Sequence, residues 1–136
     1  MAFLQKSDLN LAMLVDELDE ITRADDALVT MACAGAEAEM RGWLFDTFDV
    51  DAIFAATGSN RNALLVQFGA DIAVYALVAR LQAGQDADDR KQRYDRAIAW
   101  LKAVAKTEEY VDLPRRTLTK QTHITFGGAD RRRPRY

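Results

Sequence analysis

The sequence is poor in residues that break helices, form disulfides or bind metals. Its 136 residues include two prolines, seven glycines, one histidine and one cysteine. Scarce proline and glycine beside abundant alanine favour a helical chain. The lone Cys33 excludes an internal disulfide, and its place on an apolar helix face predicts a small buried hydrophobe in a reducing compartment.

Other absences bear on function. His123 has no cysteine or second histidine near it, so no metal site is expected. The glycines are scattered rather than gathered in a phosphate-binding loop, and we expect no cofactor and no enzymatic activity. No apolar run approaches the roughly 18 residues that span a bilayer. The first residues lack the pattern of a signal peptide, so no membrane partner is expected.

Charge divides the chain into two unequal parts. Residues 114–136 carry seven basic side chains and one acidic side chain, a net charge of +6, whereas residues 1–113 carry 11 basic and 20 acidic ones, a net charge of −9. An acidic body with a basic arm predicts a protein that docks on other molecules. The arm residues that we expect to bind a partner are Arg115, Arg116, Lys120, Ile124, Phe126, Arg131, Arg132, Arg133 and Arg135.

Two kinds of partner fit this arm. Clustered arginines bind phosphate, so a small helical nucleic-acid-binding or regulatory protein is one hypothesis. The arm has only two aromatic residues, Phe126 and Tyr136, and the acidic body would repel a nucleic acid backbone. An acidic protein surface, such as the body of an identical neighbour, is therefore the favoured partner.

Hydrophobic periodicity predicts an all-α fold, a small bundle of about four to five helices. We assign residues 1–106 to this helical domain and residues 107–136 to an extended, basic and flexible C-terminal arm. The last two helices, about 61–83 and 87–106, are joined by a short loop and should form an antiparallel hairpin. Segment 46–56 has room for one further helical turn.

Candidate N-caps mark where the helices begin. Ser7 is expected to cap a first helical segment, and Ser59 or Asn60 is expected to cap the helix at 61–83. Asp25 or Asp26 can cap a longer helix that ends near residue 45. The predicted core stripe of that longer helix is Leu28, Met31/Ala32, Gly35/Ala36, Met40 and Trp43/Leu44.

Two glycines lie inside the longer helix, where glycine is unfavourable. Gly35 and Gly42 each cost about 1 kcal/mol relative to alanine in a helix interior. Close packing against another element would offset that cost. We therefore expect both glycines to lie where a neighbour approaches closely.

The helix predicted at 61–83 is apolar on more than one face. A helix that is apolar nearly all round is buried nearly all round. Because so small a bundle can cover only one side of this helix, we predict that the other side meets a second subunit. The candidate interface residues are Trp43, Val66, Asp71, Val74 and Trp100.

Asp71 is the one acid within this apolar helix. A buried carboxylate needs a partner, and Arg93, Arg41 or a tyrosine hydroxyl could supply one. The two interpretations are an ion pair between helices and a contact at a subunit boundary.

Alternation in the arm predicts a strand without a partner in the same chain. Apolar residues and Thr122 fall on even positions from Leu118 to Phe126, and polar residues fall on odd ones. Because a single strand is not stable alone, it either pairs with another chain or stays loose until it does. We expect residues 131–136 to be disordered when free.

The order of these elements resembles a family of small helical proteins found among the head-assembly genes of Mu-like prophages, a family long labelled as of unknown function. The resemblance covers residues 3–106. This family is similar in turn to the head–tail connector, or adaptor, proteins of long-tailed phages. The motifs that carry it are Phe3-Leu4, Asp8-Leu9, Ala32, Ala36-Glu37, Met40, Gly42-Trp43-Leu44, Leu64, Phe68, Asp71 to Leu77, and Arg93 to Leu101.

Three positions depart from the family pattern. The loop 48–60 lacks the usual proline, Arg41 stands where the family commonly has Asp, and Lys106-Thr107-Glu108 stands where it often has Gly. The first departure concerns the shape of the loop. The other two concern local contacts.

The resemblance implies a structural component of the virion. Such a protein forms a homo-oligomeric ring, typically of twelve copies, below the portal protein and joins it to a downstream connector or tail protein. DNA passes through the lumen without sequence-specific binding. The implied location is the head–tail junction of the virion, reached from the bacterial cytoplasm.

Overall fold

The computed structural model describes residues 2–81 and 87–117, and this part of the chain is all-α without a named strand. The α-helices are α1 (Val15–Thr22), α2 (Asp26–Leu44), α3 (Val50–Ala55), α4 (Ala63–Leu81) and α5 (Ala87–Ala105). Two 3-10 helices, Lys6–Leu11 and Gly58–Asn60, complete the order. The predicted helical bundle is confirmed, including the helical turn expected within 46–56.

The three long helices pack side by side. On α4 and α5, the Tyr75 and Tyr94 rings stack with centroids 4.5 Å apart, and the Phe68 and Trp100 rings lie 4.9 Å apart. Since the higher number on α4 meets the lower number on α5, the two helices run antiparallel, as predicted. Helix α2 also contacts α5, where the Tyr94 hydroxyl donates a hydrogen bond of 2.7 Å to Glu39 Oε1.

Helix α4 is the centre of the bundle. Leu65, Ala70, Ala73 and Val74 have no exposed surface, and all of the nine residues from Phe68 to Ala76 except Tyr75 and Ala76 are buried. Helices α2 and α5, α1 and the first 3-10 helix all contact it. The chain's own elements therefore bury most of α4, more than the one side that was predicted, and leave Ala63, Leu64, Gln67, Ala76 and Ala79 exposed. Contact of α4 with a second subunit stays a prediction.

Gly69 lies where the N-terminal segment, α2 and α4 approach one another. A Cβ atom built there would lie 2.8 Å from both Leu4 Cδ1 and Met40 Cε. By contrast, a Cβ on Gly35 or Gly42 would meet nothing within 4 Å. Among the described residues, the close packing predicted at Gly35 and Gly42 is therefore not found, and the close approach is made by Gly69 instead.

The buried face of α2 differs from the predicted stripe. Its buried residues are Val29, Cys33, Ala36, Met40 and Leu44. Ala36, Met40 and Leu44 were predicted correctly and Cys33 is buried as expected, but Met31 is 67% exposed and Gly35 is also exposed. Burial raises the pKa of the Cys33 thiol to about 11, so the thiolate is scarce at neutral pH.

Arg61 fastens the N-terminal segment to the bundle. Its guanidinium donates to the Phe3 carbonyl at 2.7 Å and to both carboxylate oxygens of Asp8, at 2.6 and 3.1 Å. Partial burial disfavours ionisation of Asp8, but the hydrogen bonds from Arg61 and the Gln5 N–H outweigh it and lower the pKa of that carboxyl.

The observed N-caps agree only in part with the predictions. Asp25 Oδ1 accepts from the Ala27 N–H at 3.0 Å and caps α2, as predicted. At the start of α4 the cap is Asn62, whose Oδ1 accepts from the Leu64 and Leu65 N–H groups. The predictions of Ser59 or Asn60 here, and of Ser7 for the first segment, were wrong, since Gln5 precedes the first 3-10 helix.

Two family departures have clear local consequences. Arg41 Nη1 pairs with Asp51 Oδ1 at 3.0 Å, which ties α2 to α3. After α5, Thr107 adopts a left-handed conformation (φ 59°), and the Glu108 N–H donates to the Ala103 carbonyl at 2.9 Å. This is the Schellman ending that glycine usually provides, so α5 ends in the same way without glycine.

The segment after α5 packs on the body up to residue 117. Val111 and Leu113 lie against the core. The Asp49 N–H donates to the Pro114 carbonyl at 2.9 Å, and the Arg116 N–H donates to the Thr47 carbonyl at 3.1 Å. These bonds form an isolated antiparallel bridge between Phe48 and Arg115. The described start of the arm is therefore part of the folded body.

Candidate docking surfaces

Two of the predicted interface residues have almost no surface. Val74 is fully buried and Val66 is 8% exposed, because both face the interior of the bundle from α4. Neither side chain offers a contact area to a second subunit in this conformation. Sequence alone could not show this, since it does not reveal how many elements surround α4.

Asp71 forms the interhelical ion pair that was one of the two interpretations. Its carboxylate is 8% exposed, and Oδ1 lies 3.8 Å from Arg93 Nη1 on α5. Burial raises the pKa of Asp71, and the positive charge of Arg93 only partly opposes this effect. Arg41 is not the partner, because it pairs with Glu37 and Asp51.

The two tryptophans lie on opposite flanks of α5. Trp100 is half-buried against Phe68, and the Arg96 guanidinium lies 5.9 Å from the Phe68 ring centre. On the α2 side, Lys102 Nζ lies 5.2 Å from the Trp43 ring. Both indoles keep part of their surface and can still contact a partner.

Arg115 and Arg116 contact aromatic rings of their own chain. The Arg115 guanidinium lies 5.9 Å from the Phe48 ring, and that of Arg116 lies 4.8 Å from the Phe45 ring. Both arginines are exposed, so they can also meet a partner. The other arm candidates, namely Lys120, Ile124, Phe126, Arg131, Arg132, Arg133 and Arg135, lie outside the described residues, as do the strand pattern and His123.

An exposed, uncharged face of α2 was missed by the sequence analysis. We call it the α2 outer face, and its exposed residues are Ala27, Met31, Ala34, Gly35, Ala38, Gly42 and, just after the helix, Phe45. The side chains of Met31 and Phe45 are 67% and 54% exposed. The spacing of three and four residues was a visible signal, but alanine-rich α2 carries two such stripes and the pattern does not say which is buried.

An acidic surface adjoins the N-terminal end of the α2 outer face. Residues 16–26 contain six acidic side chains and one basic side chain, a net charge of −5. Lys6 Nζ pairs with Asp19 and Asp26 at 3.0 and 2.9 Å. Within the described part of the chain, the exposed Asp16, Glu17 and Glu20 have no ion-pair partner. This surface therefore has negative charge available for a cationic partner.

A second exposed apolar patch lies between the first 3-10 helix and α1. Leu11, Leu14 and Val15 are 59%, 70% and 46% exposed.

In the described ranges 2–81 and 87–117, no helix is long and apolar enough to cross a membrane, and no group of three or more His, Cys, Asp and Glu residues could hold a metal ion.

The fold and these surfaces define a small helical-bundle protein with several apolar faces open to partners. A family model described as "Bacteriophage Mu, Gp36" matches residues 3–126. The chain therefore belongs to this phage Mu Gp36 family, and the match includes residues beyond 106, where the resemblance had ended. Neither the curated proteins nor the solved structures contain a match.

Proposed function

We propose that the chain is a head–tail connector, or adaptor, of a Mu-like phage or prophage. In this proposal about twelve copies form a ring below the portal protein, contact a downstream connector or tail protein, and allow DNA to pass during head completion. Membership of the phage Mu Gp36 family is the observation that carries the proposal, because it makes the chain a phage protein.

Exposed apolar surface supports self-association. A closed ring needs two different, complementary patches on each subunit. One candidate is the Leu11, Leu14 and Val15 patch. The other is the α4–α5 flank, where Leu64 is 44% exposed and Trp100 is half-buried. Patches of this kind on a small domain are typical of interaction sites.

Charge supports the passage of DNA without retention. Residues 1–113 carry a net charge of −9, and an acidic lumen would not attract the phosphate backbone. The basic arm would then contact protein in the virion, at the head–tail junction, and the subunit would be cytoplasmic before assembly.

The assembly state of the full chain tests this proposal. We expect mass measurements over a range of protein concentrations, with and without the portal protein of the same phage, to show a species near twelve times 15.2 kDa. Leu14→Glu should abolish that species, since it places a charge in an exposed apolar patch. Gln92→Glu, a change at an exposed position on α5, should leave it intact.

The alternative, a nucleic-acid-binding protein, gives a different result. The full chain would remain monomeric under all these conditions and would bind DNA with an affinity that falls with salt, with a slope of about 0.9 per phosphate contact. That outcome would overturn the connector proposal.

A further inference from the structure

The α2 outer face is an apolar surface with no cover in the described structure. It extends over the whole helix, from Ala27 to Phe45, and carries no charged side chain. Gly35 and Gly42 in its middle have no neighbour within 4 Å of an added Cβ. A helix face with glycine and alanine at its centre allows an extended chain to approach closely.

The described chain ends beside one end of this face. The Arg116 guanidinium lies 4.8 Å from the Phe45 ring, and the Arg116 N–H bonds to the Thr47 carbonyl. The described chain therefore ends next to the C-terminal end of the α2 outer face. A tethered segment that starts this close has a high effective concentration at the face.

The length of the segment fits the face. An extended segment of nine residues, 118–126, spans about 30 Å at 3.3 Å per residue. The 19 residues of α2 span about 28 Å at 1.5 Å per residue. Residues 131–135 would then lie beyond the N-terminal end of α2, next to the acidic surface at 16–26.

In the same alignment, the charge and apolar character of the segment match those of the surfaces beside it. Residues 118–128 carry one charged side chain, Lys120, and include Leu118, Ile124 and Phe126. These residues match the uncharged outer face. Residues 131–135 carry four arginines, which match the net charge of −5 at residues 16–26.

From these matches we propose that residues 118–136 bind along the α2 outer face of their own chain. Residues 118–128 cover the apolar face from Phe45 towards Ala27, and Arg131, Arg132, Arg133 and Arg135 pair with the acids of α1 and the start of α2. The inference concerns the single chain, so it stands or falls independently of the connector ring.

Disulfide formation in the full-length monomer tests the register. In a Cys33→Ala background, Met31→Cys is paired with Ile124→Cys, because the extended segment places residue 124 near residue 31. The control pair is Ala99→Cys with Ile124→Cys. Ala99 is exposed on α5, about 9 Å along the helix from Ala105 at 1.5 Å per residue, and the Ala105 carbonyl accepts a hydrogen bond from Thr47, which also bonds to Arg116. We expect the first pair to close at least about tenfold faster, the ratio given by a docked state that outnumbers undocked ones by that factor.

Two results would overturn the proposal. Equal closure of the two pairs would show that the segment does not prefer the α2 outer face. Closure of the first pair only as a disulfide-linked dimer would make a second copy of the chain the occupant.

Proteolysis gives a measurement without introduced cysteines. Met31→Glu places a charge in the centre of the face and should speed trypsin cleavage after Lys120 by about tenfold, because cleavage follows the population of the undocked segment. Ala99→Glu is the matched control and should not change the rate. Identical rates in the parent and both variants would contradict docking on α2.

Discussion

Helices α2 and α4 have the same length and both are rich in alanine, but the fold uses them differently. Each has 19 residues, and alanine and glycine are frequent in both. The chain itself covers most of α4, with Leu64 and Ala76 among its few exposed residues, whereas α2 buries one face and exposes the other. The comparison teaches that apolar periodicity identifies a helix but does not reveal which of its faces the rest of the chain covers.

The largest expected difference between the two helices is in side-chain truncation. Leu65→Ala on α4 removes a fully buried side chain and should lower the free energy of unfolding by about 2–5 kcal/mol. Met31→Ala on the α2 outer face should change it by no more than about 0.5 kcal/mol, apart from any docking of residues 118–136. Urea unfolding of both variants checks this, and similar losses would contradict the assignment of inner and outer helices.

Replacing a glycine by alanine should have opposite effects on stability in the two helices. Gly69→Ala should destabilise the fold by about 1–3 kcal/mol, because its Cβ would lie 2.8 Å from Leu4 and Met40 atoms that are themselves buried. Gly35→Ala should stabilise it by up to about 1 kcal/mol, apart from any effect on the docking of residues 118–136, since the new methyl group meets nothing within 4 Å in the described structure and alanine favours helix. Thermal unfolding of the two variants measures both effects, and equal destabilisation by the two variants would contradict the assignment of the close approach to Gly69.

The smallest expected effect is the pH dependence of folding stability that Asp71 on α4 causes. Burial raises the pKa of Asp71 above its unfolded value of 3.8, so the stability from this group is present below that value and is lost as pH rises through the folded pKa. The Asp71→Asn variant cannot lose stability in this way. Its free energy of unfolding should therefore rise relative to that of the parent as pH increases from about 3.8. Urea unfolding from pH 3 to 7 checks it, with the exposed-site variant Asp95→Asn as control; equal pH slopes for parent and Asp71→Asn would refute the raised pKa.

Much of the fold could be predicted because it depends on local pattern. The helices, the α4–α5 hairpin and the Asp25 cap follow from apolar spacing and short-range hydrogen bonding within a few residues. The candidate surfaces were predicted less well. Val74 was selected for its apolar character, which is the same at an interface and in a core, and Met31 was assigned to the core for the same reason.

Composition, charge and apolar spacing by themselves determined that the chain is helical, where its long helices lie, and that a basic segment follows an acidic body. Only the tertiary structure decided that α4 is central and that Gly69, rather than Gly35, lies against Leu4 and Met40. It also decided that the Arg116 guanidinium packs on the Phe45 ring. The physical reason is that burial depends on the number of elements meeting at a residue, and those elements come from distant parts of the sequence. Helix formation depends mainly on neighbours three and four residues away, which the sequence displays directly.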